Sequence, residues 1–345
     1  MNQSLNNFLN SLKGKPLEQA NKEAESVCGI VDFFDTEDYS VSEKIEQEKR
    51  VEYGDWQTNF ELACRVCLLI KNQGITPEVI IEPTCGIGNF ILASVIVFGD
   101  TAKDIYGIEI YKPYLNELKF RFLEYALKNP GVINSRIHLI HQSIFGFNFD
   151  SLQIDNNKNV LVVGNPPWVT NSKLSEINSE NLPKKSNFKN VKGLEAITGK
   201  ANFDIAEYIT YQLLDSFHSQ NACLAFLIKN SVAKNIVYEQ KNGKYNIENM
   251  TQYNIDAKKE FNVSVAACLF VAKLGKGNAK QCSVTDLYTL DPPFSYGWVK
   301  GCFVANVDDY MSYSNIDGEC QLTWWSGLKH DCSKVMELEK KDGKF

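Results

Sequence analysis

The chain of 345 residues has no long apolar run. No stretch approaches the roughly 20 apolar residues a membrane span needs, and no apolar N-terminal segment resembles a signal peptide. No membrane association is expected. Positive charge is not in excess either: 36 Lys and Arg stand against 42 Asp and Glu, a net charge of −6. The chain as a whole does not advertise nucleic acid, although one basic face can sit on an acidic body. The ten cysteines lack the grouping that zinc requires. Only Cys64 and Cys67 form a C-x-x-C, with no second pair and no nearby histidine, so no metal is expected. Their apolar surroundings suit reduced, buried thiols in a cytoplasmic protein. Internal repeats and low-complexity tracts are missing as well.

What is present is enough apolar material, 44% of residues, for a sizeable core, in a chain whose length suits about two domains. Residues 1–50 are polar and rich in Glu and Lys, with helical patches such as "SLNNFLNSL", and read as an N-terminal helical extension. From 51 to 280 the pattern alternates. "ELACRVCLLIKNQG", "NFILASVIVFG", "YLNELKFRFLEYALKN" and "FDIAEYITYQLLDSF" carry helical spacing. "EVIIEP", "DIYGIEI", "RIHLIHQSI", "NVLVVGNPP" and "ACLAFLIKNS" read as strands, and "IDAKKEF" and "AACLFVAKL" as a further strand pair. Strands alternating with helices predict a doubly wound, mostly parallel α/β sheet, in which ligands sit beyond the carboxyl ends of the strands. From 281 to 345 the sequence turns aromatic and irregular.

The stretch "IIEPTCGIGNF" is a strand, then Glu82-Pro83-Thr84-Cys85-Gly86-Ile87-Gly88-Asn89-Phe90, then a helix. Gly86 and Gly88 let the backbone turn tightly and approach a ligand closely. Glu109 ends the next strand, 21 positions after Gly88. That is about the separation at which a carboxylate in this layout accepts hydrogen bonds from a ribose diol. The third glycine of a dinucleotide fingerprint is missing, and Glu82-Pro83 precedes the turn. A cationic, adenosine-bearing ligand fits this better than a pyrophosphate, because Glu82 can meet an ammonium group.

The segment "VLVVGNPPWVT" is a buried strand that stops at Asn165-Pro166-Pro167-Trp168. Two prolines end it, since proline donates nothing to a ladder. An exocyclic amine such as adenine N6 is a poor nucleophile because its lone pair is delocalised into the ring. The Asn165 side-chain carbonyl and the Pro166 backbone carbonyl form an acceptor pair for both amino hydrogens, which favours a tetrahedral nitrogen. The prolines hold those carbonyls in fixed directions, preorganised toward developing charge. Trp168 offers a flat face for a base taken out of its stack.

Together these residues resemble the S-adenosylmethionine-dependent DNA adenine-N6 methyltransferases of type II restriction-modification systems. Glu82–Phe90, with Pro83, Cys85, Gly86 and Gly88, is similar to their cofactor loop. Glu109 and Ile110 are similar to their ribose-binding acid and adenine-flanking apolar residue, and Asn165, Pro166, Pro167 and Trp168 to their catalytic tetrapeptide, where Asn165 also borders the cofactor. "EYGDWQTNFELACRV" resembles the N-terminal motif that closes over the cofactor's methionine part, with Tyr53 and Thr58 at matching positions. Asn59 stands where that motif often has Pro. Ser143 sits where the family often has an acid reaching the cofactor's adenine. "FNVSVAACLF" resembles the late motif near the flipped base, which makes Phe261 a second stacking face or a core residue. The motif order is similar to the γ arrangement.

The resemblance implies a Rossmann-like methyltransferase sheet over 51–280, S-adenosylmethionine as cofactor and double-stranded DNA as substrate. It makes 281–345 the incomplete start of a target-recognition region, and makes a separate recognition chain or a cognate restriction endonuclease a further partner. Between 173 and 200, six lysines stand against three glutamates. Lys184, Lys185 and Lys189 there are candidates for phosphate contacts in a region net +3 after the tetrapeptide, or belong to a solvated loop. Two other readings stay open: an N-methyltransferase of RNA or of a protein glutamine, since the tetrapeptide serves planar nitrogens generally, and a truncated or split methyltransferase subunit that does not act alone.

Overall fold

A computed structural model describes residues 3–39, 57–170, 204–291, 293–316 and 318. The chain divides into a large unit, residues 1–307, and a small one, residues 308–345. In the small unit the described residues comprise the rest of a helix that begins at Val307 and ends at Tyr313, followed by a short 3-10 turn, Ser314–Ile316.

In chain order the large unit carries helices α1 (Gln3–Leu12), α2 (Leu17–Cys28) and α3 (Phe60–Asn72), strand β1 (Val79–Glu82), α4 (Asn89–Phe98), β2 (Asp104–Glu109), α5 (Lys112–Lys128), β3 (Arg136–His141) and β4 (Val160–Gly164). Then follow α6 (Ile205–Phe217), β5 (Ala222–Lys229), α7 (Asn230–Glu239), β6 (Ile247–Ile255), α8 (Ala257–Phe261), β7 (Ala267–Leu274), β8 (Gln281–Asp286), β9 (Phe294–Val299) and β10 (Cys302–Val304).

The ten strands form one sheet in the order β10-β9-β8-β6-β7-β5-β4-β1-β2-β3. The half β3-β2-β1-β4-β5 is wholly parallel. Its strands β1, β4 and most of β5 are buried along their length, as Val, Ile and Leu runs covered on both faces require. From β1 the chain moves outward to β2 and β3, then returns to β4 on the other side of β1. This reversal places the carboxyl ends of β1 and β4 side by side, the switch point at which doubly wound sheets hold ligands. The arrangement is a mixed, Rossmann-like α/β sheet. Beyond β5, β7 runs antiparallel between β5 and β6, and β8 to β10 continue the same sheet from residue 281 onward.

Two local expectations differ from the fold. "IDAKKEF" is not a strand: only Ile255 belongs to β6, and Asp256 then starts α8. The Asp256 Oδ1 accepts from the Lys258 and Lys259 amides at 3.1 and 3.0 Å, which satisfies two N–H groups that a helix start leaves open. The strand next to β7 is instead "IENMTQYNI", whose polar residues conceal its alternation, and α7 follows β5 without a break. At the N-terminus α1 and α2 pack on α5, and Ile30 forms a parallel bridge to Ile137 of β3. Leu5, Leu9 and Leu12 fall at helical spacing on α1 and are all buried, each burial contributing about 1.5–3 kcal/mol.

Candidate active site at the carboxyl ends of β1 and β4

The turn after β1 is built by its glycines. Gly86 and Gly88 take φ values of +51° and +79°, a region side chains disfavour. A Cβ on Gly88 would also lie 2.5 Å from Leu118, and one on Gly86 would lie 2.7 Å from the Gln57 amide. The turn closes with the Gly88 amide donating to the Cys85 carbonyl at 2.8 Å. Arg121, on α5, grips it from outside: one guanidinium nitrogen donates to the Ile87 carbonyl at 2.8 Å, another to Asn89 Oδ1 at 2.9 Å. The Asn89 amide in turn donates to the Thr58 carbonyl at 2.7 Å, tying the N-terminal motif to the glycine turn.

Two buried acids flank this turn. Glu109 accepts from the Gly86 amide at 2.9 Å and from the Tyr111 amide at 2.8 Å, so the acid at the end of β2 is oriented by the loop it faces. Glu82, 3% exposed, accepts from the Ile91 amide at 3.1 Å. Burial pushes its carboxyl well above the usual carboxylate range. The Ile91 hydrogen bond opposes that shift, and the negative charge of Glu109 adds to it. Burial likewise raises the Cys85 thiol, which is held neutral beside the two acids. Gly164, at the end of β4 and just before the tetrapeptide, lies against Glu82: a Cβ there would meet Glu82 Cγ at 3.4 Å.

One open pocket of about 790 Å³ joins the two strand ends. It is lined by Thr58, Glu82, Pro83, Cys85, Gly86, Phe90, Glu109 and Ile110 on the cofactor-loop side, and by Asn165 and Pro167 on the tetrapeptide side. The side-chain oxygens of Thr58 and Thr84, both on this pocket, are buried with no hydrogen-bond partner among the described residues. Such groups are costly unless a ligand or solvent satisfies them.

Other expected site residues lie elsewhere. Gly88 shapes the turn without lining the pocket. Ser143 does not line it: its hydroxyl turns back to accept from the Phe145 amide at 3.2 Å, and Gln142 and Ile144 on either side face the cavity instead. Pro166 is buried outside the lining. Trp168 does not present an open face to the pocket. It is 8% exposed, its indole N–H donates to the Leu227 carbonyl at 3.0 Å, and its ring packs edge-on against Phe261 with centroids 5.1 Å apart. The two aromatic rings thus pack on each other, and Phe261 is also buried. Tyr53, Lys184, Lys185 and Lys189 fall outside the described residues.

The pocket also recruits Gln57, Tyr114, Phe145 and Ile209, which the sequence reading did not single out. Tyr114 and Phe145 follow the ends of β2 and β3, so their place just past a strand end was an available signal; Ile209 sits mid-helix on α6 with none. Asn59, standing where a proline is common, caps α3 by accepting from the Leu62 amide at 2.8 Å and donates its own amide to Glu260 at 2.9 Å, next to Phe261. Among the described residues no group of three or more His, Cys, Asp or Glu could hold a metal, and no helix is long and apolar enough to cross a membrane. The described cysteines are all free thiols.

A glycine turn, a ribose-spaced acid and an apolar slot at the switch point define a Rossmann-like α/β protein whose site suits an adenosine-bearing ligand. No family model matches the chain. It is similar to the type II methyltransferase M.NspV of Nostoc sp. (strain ATCC 29411 / PCC 7524), at 37% identity over 301 residues, 87% of this chain and 61% of that protein. The chain therefore spans less than two thirds of that relative's length. Among solved structures it is similar to a protein from Listeria monocytogenes assigned as a class I S-adenosylmethionine-dependent methyltransferase, at 11% identity, covering 84% of this chain and 85% of that one, with a TM-score of 0.47. It is also similar to the methyltransferase subunit of a type I restriction-modification system from Streptococcus thermophilus, at 12% identity, covering 75% of this chain and 52% of that one, with a TM-score of 0.44.

Proposed function

We propose that this chain transfers a methyl group from S-adenosylmethionine to the N6 amino group of adenine in a specific DNA sequence, with the base flipped out of the helix, as the modification activity of a type II restriction-modification system. The observation that carries this reading is the single pocket running from the glycine turn and its two acids to Asn165 and Pro167. The identity to a type II methyltransferase supports the reaction class.

The residues present fit the cofactor. Gly86 lines the pocket and Gly88 shapes the turn behind it, Glu109 offers its carboxylate to a ribose diol, and Ile110, Ile144 and Phe90 offer apolar surface to a purine. Glu82 and the two threonine hydroxyls offer acceptors and donors for an amino-acid tail. When bound, the cofactor supplies an electrophilic methyl group carried on a cationic sulfur. The chain's own part is positioning and polarisation. The Asn165 side-chain carbonyl and the Pro166 backbone carbonyl accept the two amino hydrogens of the target, returning electron density to its nitrogen lone pair. The methylated nitrogen bears one proton too many, which is acidic and passes to water, so no strong protein base is needed. Lys184, Lys185 and Lys189 contact DNA phosphates in this reading.

The test is transfer of labelled methyl groups by the full chain to duplex DNA, RNA and protein, followed by mapping of the modified atom. Label on adenine N6 at a defined DNA sequence is the expected result. Label on RNA or on a glutamine amide would replace the substrate. Transfer only after a recognition chain is added would make this a subunit that does not act alone.

A further inference from the structure

We infer that Lys229 is a positioning residue for the Asn165–Trp168 turn, a role that rests on the methyl-transfer reading above. Lys229 ends β5, the strand paired with β4 up to Gly164 and Phe226. Its ammonium lies 2.6 Å from Asp204 Oδ2 and donates to the Trp168 backbone carbonyl at 3.3 Å. The Lys229 and Asp204 side chains are 22% and 11% exposed, so the pair is largely shielded from solvent. The other Asp204 oxygen accepts from the Ala206 amide at 3.0 Å and so caps α6, the helix that brings Ile209 to the pocket. Asp204 also bridges to Thr170, and the Ile205 amide donates to the Val169 carbonyl at 2.8 Å.

Trp168 is thus held by β5 through two bonds of opposite sense. Its indole N–H donates to Leu227, and its carbonyl accepts from Lys229, two residues further along the same strand. This completes what the prolines begin. Pro166 and Pro167 fix their own φ angles, and Pro167 confines the ψ of Pro166 to the extended range, but the ψ of Pro167 stays open. Upstream, the turn is fixed by β4. Downstream, the anchor at Trp168, with the contacts of Val169 and Thr170 to the start of α6, defines the remaining torsions, and with them the tilt of the Pro166 carbonyl. Lys229 supplies that anchor as an ion-paired donor, so the acceptor pair proposed to grip the target amine is held from both ends. The cofactor half of the pocket hangs from β1, β2 and α5 and does not use this clamp.

The experiment compares the full chain with Lys229→Met, Lys229→Arg and Asp204→Asn, the last keeping an oxygen for the α6 cap while removing the ion pair. Three quantities are read: kcat, cofactor Kd by calorimetry, and amide hydrogen exchange of residues 164–170 without cofactor. Lys229→Met is expected to lower kcat about 100-fold, the scale of a misplacement near 1 Å, with cofactor Kd unchanged. Exchange at 164–170 is expected to speed up in Lys229→Met and Asp204→Asn, and Lys229→Arg to restore most of both properties. Should Lys229→Met fail to fold, Asp204→Asn carries the comparison. Wild-type kcat and wild-type exchange in a folded Lys229→Met or Asp204→Asn chain would overturn the inference. So would equal losses of kcat and cofactor affinity, the mark of a merely structural pair. Absence of transfer by the unaltered chain to any substrate would instead sink the functional reading, and the exchange measurement would still decide whether the clamp exists.

Discussion

Glu82 couples the stability of this fold to pH and, in the reading proposed above, to its ligand. Burial keeps its carboxyl well above the usual range, so the unfolded chain sheds that proton at a lower pH than the folded one. Stability therefore falls as pH rises from the ordinary carboxylate range toward the shifted pKa, and stays at the lower level above it. Glu82→Gln, which can still accept from the Ile91 amide, is expected to raise stability near neutral pH, read as a higher urea midpoint. The same substitution is expected to abolish cofactor binding. A cationic ligand prefers the carboxylate, so in the unaltered chain affinity should climb with pH through the shifted pKa, with proton release detected by calorimetry in buffers of different ionisation heat. An affinity independent of pH would separate Glu82 from the ligand's charge. Asn165 calls for the opposite outcome. Asn165→Ala is expected to cut methyl transfer by 10²–10³-fold, the usual loss for one preorganised polar group, while calorimetry finds cofactor affinity retained. Loss of both would make Asn165 a shaper of the pocket instead.

At the scale of elements, the glycine turn, α3 and α5 form one cradle. Arg121 binds the turn from α5, and Asn89 links it to Thr58 at the head of α3. Arg121→Met is expected to weaken cofactor binding about tenfold, the effect of losing a hydrogen bond to a charged group, with the unfolding midpoint little changed. An unchanged Kd would show that the turn holds its shape by its glycines alone. The elements carried by apolar runs were readable beforehand: β1, α4, β2, α5 and β4 fall where their patterns put them. The miss at 255–261 has a local cause. Apolar residues at both ends of "IDAKKEF" imitate a strand, while the Asp256 cap that starts α8 rests on two backbone amides that no periodicity displays. β6 was hidden because Glu248, Asn249, Gln252 and Asn254 interrupt its apolar residues, and β9 satisfies the buried one, the Tyr296 hydroxyl donating to Gln252 at 3.1 Å.

At the scale of the molecule, the N-terminal helices belong to the core of the large unit. Leu12 and Cys28 are fully buried, and α1 and α2 lie on α5, which carries both Tyr114 of the pocket and Arg121. Leu12→Ala is expected to lower stability by roughly 2–4 kcal/mol, the cost of a cavity left in a packed core, measured by denaturant titration. A loss below 1 kcal/mol, on the same scale, would mean that these helices dock loosely.

The sequence by itself determined the strand–turn–helix units, the two glycines, the two acids and the proline-locked amide. Those features depend on neighbours along the chain: φ freedom at glycine, fixed φ at proline, and the alternation of apolar residues. Only the tertiary structure decided that the ends of β1 and β4 share a pocket, that Trp168 turns inward against Phe261, and that Lys229 and Asp204 meet behind the tetrapeptide. Each of these depends on residues tens to a hundred positions apart, and their meeting is set by sheet order and register, which no local pattern encodes.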